Sequence, residues 1–129
     1  MHGLHLTADL HDCRCGMSWL VDPQALGAAC VNAAEAAGLQ VVGTLFHAFA
    51  PTAQGPGGVT ATVLLAESHL CVHTWPERRG VTLDVYVCNF GADHSGKARA
   101  VMAALESLFQ AGSTERHALQ RGTIRAEAA

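Results

Sequence analysis

The 129-residue chain is long enough for one packed domain and too short for two. Half of its residues are hydrophobic, so a sizeable core can form, and a net charge of −3 with scattered Lys and Arg excludes a basic nucleic-acid footprint. No apolar run approaches the roughly 20 residues of a membrane helix, the opening Met1-His2-Gly3-Leu4-His5 lacks a signal peptide's basic and apolar regions, and an odd count of five cysteines predicts reduced thiols in a cytoplasmic protein.

Residues 3–10 alternate, with Leu4, Leu6, Ala8 and Leu10 on one face of a half-buried strand and His5, Thr7 and Asp9 on the other. Residues 11–21 read as a loop. Within it, Cys13-Arg14-Cys15 is too tightly spaced for a zinc knuckle. A helix follows, with Asp22 as N-cap and Pro23 at the first helical position. Leu26, Cys30, Ala33 and Ala37 form its stripe, and Gly38 ends it. The spacing predicts a second strand over 39–49 and a Gly- and Pro-rich turn to Gly58. A third strand is expected from Val59 to Ala66, a fourth from Ser68 to Trp75, and a fifth from Val81 to Cys88. The third and fourth pair as a hairpin that bends at Glu67. A second helix spans 94–111 through Ala98, Val101, Met102, Leu105, Leu108 and Phe109, and Gly112 closes it. Residues 116–125 supply a last strand, and the tail 126–129 frays. The order β-α-β-β-β-β-α-β predicts an α+β domain over 1–129, a two-layer sandwich whose antiparallel sheet is covered on one face by two helices.

Chemistry concentrates in Glu67-Ser68-His69-Leu70-Cys71-Val72-His73-Thr74-Trp75-Pro76-Glu77. Alternation puts Leu70 and Val72 on one face, and His69, Cys71 and His73 on the other. A buried structural strand has no need of so many titratable groups. His69, Cys71 and His73 could approach a metal, but a fourth ligand is not evident. An imidazole titrates near neutrality, so His73 can serve as a base. It stands an odd number of residues from Ser68, and a regular strand would turn the two to opposite faces. A bulge or bend near Ser68 has to bring them together.

The stretch resembles the processing site of the prokaryotic S-adenosylmethionine decarboxylases. In that family a Glu-Ser-His-x-x-x-His-Thr-(Trp/Phe)-Pro-Glu run carries the serine at which the proenzyme cuts itself. The family's His-Leu-x-Ala-(Asp/Glu) opening, with a cysteine four residues on, is matched by His5, Leu6, Ala8, Asp9 and Cys13. The resemblance covers about residues 3–110. It implies cleavage between Glu67 and Ser68 into chains 1–67 and 68–129, and a pyruvoyl group derived from Ser68 that forms a Schiff base with the substrate amine in place of an external cofactor. His73 would be the processing base, and Thr60, in Gly58-Val59-Thr60, would help polarise the Glu67 carbonyl. Cys88 would be the proton donor, a task that suits a thiol because its pKa near ~8.5 can be tuned. Phe49, Trp75 and Glu77 would bind substrate, the aromatics stacking adenine and the carboxylate accepting ribose hydroxyls. No metal is implied. Family members are dimers whose active sites use both protomers, so a homodimer is expected, its copies covering the polar sheet face.

The sequence departs from the family at three places. About five extra residues stand between Pro51 and Gly58, Arg78-Arg79 replaces an aromatic-glycine pair, and Asn89-Phe90 replaces a glycine after Cys88. The leading expectation is a decarboxylase of S-adenosylmethionine that supplies the aminopropyl donor for spermidine synthesis. The alternatives are a decarboxylase of ornithine or arginine on the same fold, and an uncleaved, non-catalytic paralogue.

Overall fold

A computed structural model describes residues 2–89 and 91–123 of the chain. Six strands form one antiparallel sheet: β1 (Gly3–His11), β2 (Val41–Ala48), β3 (Val59–Leu65), β4 (Ser68–Trp75), β5 (Gly80–Cys88) and β6 (Ser113–Arg121), in spatial order β2-β3-β4-β5-β1-β6. Helix α2 (Pro23–Ala36) packs on β2 and β3, and α3 (Ser95–Phe109) packs on β1 and β5. This is the expected two-layer α+β sandwich.

Alternation sets which way each strand faces. Leu70 and Val72 of β4, Val59, Ala61 and Val63 of β3, and Val81, Leu83, Val85 and Val87 of β5 are buried under the helices. Each fully buried Leu or Val contributes roughly 1.5–3 kcal/mol. A one-residue slip would expose a whole set at once, so the register is firmly specified. The outer face then has to carry Thr60, Thr62, His69, Cys71, His73, Thr82, Asp84 and Tyr86.

Helix α2 starts as its sequence dictates. Asp22 accepts hydrogen bonds from the backbone N–H of Gln24 (2.9 Å) and Ala25 (3.3 Å), and Pro23 opens the first turn. Its buried stripe is Leu26, Gly27, Cys30 and Ala34. Ala33 and Ala37 lie at the margin of the core rather than in it. The shift follows from Gly27, which lies flat on the Phe46 ring: a Cβ there would stand 2.3 Å from a ring carbon.

The stretch 11–21 is more ordered than a loop. Ser18–Val21 form a single helical turn, α1, because Leu20 is fully buried and its carbonyl is engaged by the sheet. The last strand begins three residues earlier than expected. The Gly112 N–H donates to the carbonyls of His11 and Asp12, which seats Ser113 directly opposite His11. Exposed along nearly its whole length, β6 is an edge strand, which is why its sequence carries no alternation. The expected end of that strand at 124–125, the tail 126–129 and Phe90 lie outside the described residues. Among the described residues no helix is long and apolar enough to cross a membrane.

Candidate active site

The hairpin between β3 and β4 turns through Ala66 and Glu67, with Leu65 and Ser68 as the last pair of the ladder. Glu67 is forced to φ +58°. A left-handed backbone costs a residue with a Cβ roughly 1–2 kcal/mol, so the Glu67–Ser68 peptide is held in a strained setting. The Ser68 hydroxyl accepts a hydrogen bond from the backbone N–H of Cys88 (3.0 Å). Cys88 ends β5 on the next strand. Two residues twenty apart in sequence are thereby brought together, and the nearly buried thiol of Cys88 shares its strand parity with Asp84 and Tyr86.

The remaining motif residues gather at the other end of the same strands. Thr60 pairs with His73, and its Oγ1 lies 3.0 Å from His73 Nδ1. Both line a cavity of about 390 Å³ together with Phe49, Trp75 and Glu77. The His73 and Trp75 rings lie 6.3 Å apart, while the Phe49 ring stands edge-on to His47 at 4.8 Å. The cavity therefore has aromatic walls, a carboxylate at the rim and an imidazole with a hydroxyl partner. A second cavity of about 280 Å³ lies between α3 and β6 and includes none of these residues.

Three supports of this site go beyond the residues that the motif names. The first is Thr74, whose buried hydroxyl donates to the Leu20 carbonyl (2.7 Å) and accepts from the Val59 N–H (2.8 Å). It ties α1, β3 and β4 together behind the cavity. Its only signal was a polar residue at an inward position of β4. The second is the 52–58 stretch, which closes on itself through reciprocal bonds between Thr52 and Gly55 (2.8 and 3.0 Å). Thr52, Gln54, Pro56, Gly57 and Gly58 line the cavity, so the extra residues of this chain shape its mouth. Gly58 fits only without a side chain, since a Cβ would meet the Thr74 carbonyl oxygen at 2.0 Å. The third is Arg79. Neither Arg78 nor Arg79 is among the cavity-lining residues; the Arg79 guanidinium turns back onto the carbonyls of Cys13 and Cys15.

Ser68 and His73 do not meet within one chain. The ladder between β3 and β4 runs unbroken from Leu65–Ser68 to Thr60–His73. No bulge interrupts it, and the bend at Glu67 reverses the chain without bringing the two together. Five residues at ~3.3 Å each separate them by about 16 Å along the strand. Ser68 and Cys88 thus stand at one end of the sheet, and Thr60, His73 and the cavity at the other. Thr60, on the same rung as His73, is likewise distant from the Glu67 carbonyl.

Nor do His69, Cys71 and His73 converge. The Cys71 thiol donates to Thr62 Oγ1 (3.7 Å), and His73 faces Thr60. His69 Nε2 and His5 Nε2 both lie 2.8 Å from Asp84 Oδ2. Arg121 Nη1, which can only donate, stands 3.1 Å from His5 Nδ1, and the guanidinium carbon Cζ sits over the Tyr86 ring at 4.7 Å. His5 therefore accepts at Nδ1 and carries its proton on Nε2, toward Asp84. The grouping is a hydrogen-bonded network around one carboxylate, and the donor of a metal-bound imidazole would have to face the opposite way.

The other thiols are kept protonated. Burial pushes Cys30 up to about 12 and Cys13 to about 11, and raises Cys15 and Cys71 as well. Cys30 packs in the core of α2, as its place on the helical stripe implies.

Residues 4–122 match the profile of the S-adenosylmethionine decarboxylase family. The chain is 34% identical over 122 residues to the S-adenosylmethionine decarboxylase proenzyme of Syntrophomonas wolfei, covering 95% of this chain and 88% of the relative. It is 34% identical over 120 residues to the proenzyme of the same name from Parasynechococcus marenigrum, covering 93% and 83%. Among solved structures, the adenosylmethionine decarboxylase of Aquifex aeolicus superposes with a TM-score of 0.82 at 28% identity, over 98% of this chain and 96% of that one. Joined to the strained Glu67–Ser68 turn, these likenesses establish that the chain belongs to the S-adenosylmethionine decarboxylase family.

Proposed function

We propose that the protein is a self-processing, pyruvoyl-dependent decarboxylase of S-adenosylmethionine, acting as a homodimer with each site assembled from two protomers. The observation that carries this reading is the division of the motif. Ser68 and Cys88 stand at one end of the sheet, the base and the substrate cavity at the other. Two copies laid outer face to outer face, antiparallel about a two-fold axis, bring each half against its complement. The outer face suits such an interface. Leu45 (72% exposed), Leu64 (50%) and Leu119 (59%) project from it beside half-buried polar groups, and apolar side chains left in water favour burial against a second copy.

Processing needs a strained peptide, a positioned nucleophile and a base. Glu67 supplies the strain, and the Cys88 N–H holds Ser68 Oγ. The oxygen attacks the Glu67 carbonyl carbon, the C–N bond breaks, and an ester replaces the amide. The partner's His73, its ring held by Thr60, removes the Ser68 α-proton. Elimination expels the Glu67 carboxylate and leaves dehydroalanine at 68. Water then releases ammonia from the corresponding imine, leaving a pyruvoyl group at the new N-terminus of chain 68–129.

Once formed, that group supplies an electron sink for the pair released when carbon dioxide leaves. This chain's residues do the rest. Phe49 and Trp75 stack the adenine and face the sulfonium, Glu77 accepts from the ribose hydroxyls, and Cys88 returns a proton to the decarboxylated carbon. The product would be the aminopropyl donor for spermidine synthesis.

The test is the denatured mass of the purified protein, followed by carbon dioxide release from S-adenosylmethionine, ornithine and arginine in parallel. The expected result is two fragments, 1–67 and 68–129, the second lighter by one ammonia than a serine-ended chain, and release from S-adenosylmethionine alone. A persistently uncut chain overturns the mechanism. Release from ornithine or arginine instead overturns the substrate.

A further inference from the structure

We propose that Arg79 is a positioning residue for substrate binding: by clasping the carbonyls of Cys13 and Cys15, it fixes the turn that presents Glu77 to the cavity. This rests on the reading of Glu77 as the ribose-binding carboxylate.

The turn Pro76–Arg78 is a single 3₁₀ turn between β4 and β5. The Arg79 N–H closes it by donating to the Pro76 carbonyl (3.1 Å). A lone turn of this kind is held weakly, because nucleation fixes several dihedrals for few hydrogen bonds. Arg79 itself adopts φ +46°, a conformation that costs a residue with a Cβ and persists only where surroundings impose it.

Those surroundings lie in the 12–16 segment. Arg79 Nε donates to the Cys13 carbonyl (2.6 Å), and Nη2 donates to that of Cys15. In return the Cys13 N–H donates to the Arg79 carbonyl (2.9 Å). The segment is a fixed anchor. The Cys13 and Cys15 side chains are buried in the core, the Arg14 N–H donates to the Gln110 carbonyl (3.0 Å), and the Cys15 N–H donates to that of Phe109 (3.3 Å). Glu77, two residues from Arg79, is exposed at the rim and has no hydrogen bond or ion pair of its own among those of the described residues, so its place depends on the backbone of its turn. The planar guanidinium offers Nε–H and Nη2–H to the two carbonyls from separate atoms at a fixed spacing. A lysine ammonium keeps the charge and loses the geometry.

The experiment measures self-cleavage, kcat and KM for S-adenosylmethionine in R79K, R79A, E77Q and R79K/E77Q, with hydrogen exchange of the 77–79 amides in wild type and R79K. In the expected result R79K cleaves as wild type, its KM rises about tenfold with kcat within about twofold, its turn amides exchange at least tenfold faster, and R79K/E77Q is no worse than E77Q alone. Unchanged KM and exchange in R79K overturn the proposal. So do effects that multiply in the double variant, and so does a fall in kcat and cleavage that tracks KM. Where R79A does not fold, R79K alone decides. If wild type does not act on S-adenosylmethionine, the substrate reading falls. Unaltered exchange in R79K would still refute the clasp on its own.

Discussion

Ser68 and His73 share one uninterrupted strand, yet they stand five residues apart with opposite parity. A nucleophile and base so arranged in one chain cannot act on each other. On the proposed reading the pairing is intermolecular, and it can be tested as such. Co-expressed with S68A, an H73A chain offers an intact Ser68 to a partner with an intact His73. The H73A chain should be cut and the S68A chain never. Each variant alone should remain whole. Intact mass of the mixed dimer reads both outcomes, and an H73A chain that cuts unaided would refute the shared site.

Cys88 has two separable roles. Its backbone N–H holds the Ser68 hydroxyl, and its thiol is the proposed proton donor. C88A keeps the first and loses the second. Cleavage should proceed near the wild-type rate, while decarboxylation falls by 10²- to 10⁴-fold, the usual worth of a general acid. Slow cleavage in C88A would place the thiol in processing instead.

Relieving the strain at Glu67 should stabilise the fold and slow processing. In an uncleavable S68A background, E67G is expected to gain about 1 kcal/mol in denaturant unfolding, because glycine tolerates a positive φ. With Ser68 present, E67G should cleave about fivefold more slowly if that strain is spent in the acyl shift. A cleavage rate equal to wild type would show that the turn stores nothing used by the reaction.

The substrate-binding residues Phe49, Trp75 and Glu77 should act on binding more than on self-cleavage. W75A removes an aromatic wall, and its KM for S-adenosylmethionine should rise about tenfold or more while cleavage completes normally. Steady-state kinetics on fully processed protein separates the two. G58A should instead disturb fold and site together, since its methyl would strike the Thr74 carbonyl oxygen.

Stability should fall on the alkaline side. Burial raises Cys30 from 9.0 to about 12 and Cys13 from 9.0 to about 11. Between the unfolded and folded values the native chain holds more protons than the unfolded one, so unfolding becomes easier as pH rises. The contribution is fully present below about pH 9 and is lost through roughly pH 11 to 12. Urea unfolding at pH 8 and pH 10.5 on S68A protein should show the loss, and C30A should diminish it.

Sequence alone determined the local pieces. Alternation in 3–10, 59–66 and 81–88 dictated strands. Asp22-Pro23 dictated where α2 begins, and the spacing of Val101, Met102, Leu105 and Phe109 dictated the buried side of α3. The motif from Glu67 to Glu77 carried the family resemblance, because the chemistry it implies requires particular residue types. Tertiary structure decided what depends on chains meeting. Register put the Cys88 N–H on Ser68, an encounter across twenty residues that no local pattern encodes. The unbroken β3–β4 ladder kept His73 away from Ser68, where strand parity had called for a bulge. Thr74 and Arg79 drew their roles from carbonyls 54 and 64–66 residues away. Backbone carbonyls are the same in every residue, so sequence can mark a donor's type but not the acceptor that folding will set beside it.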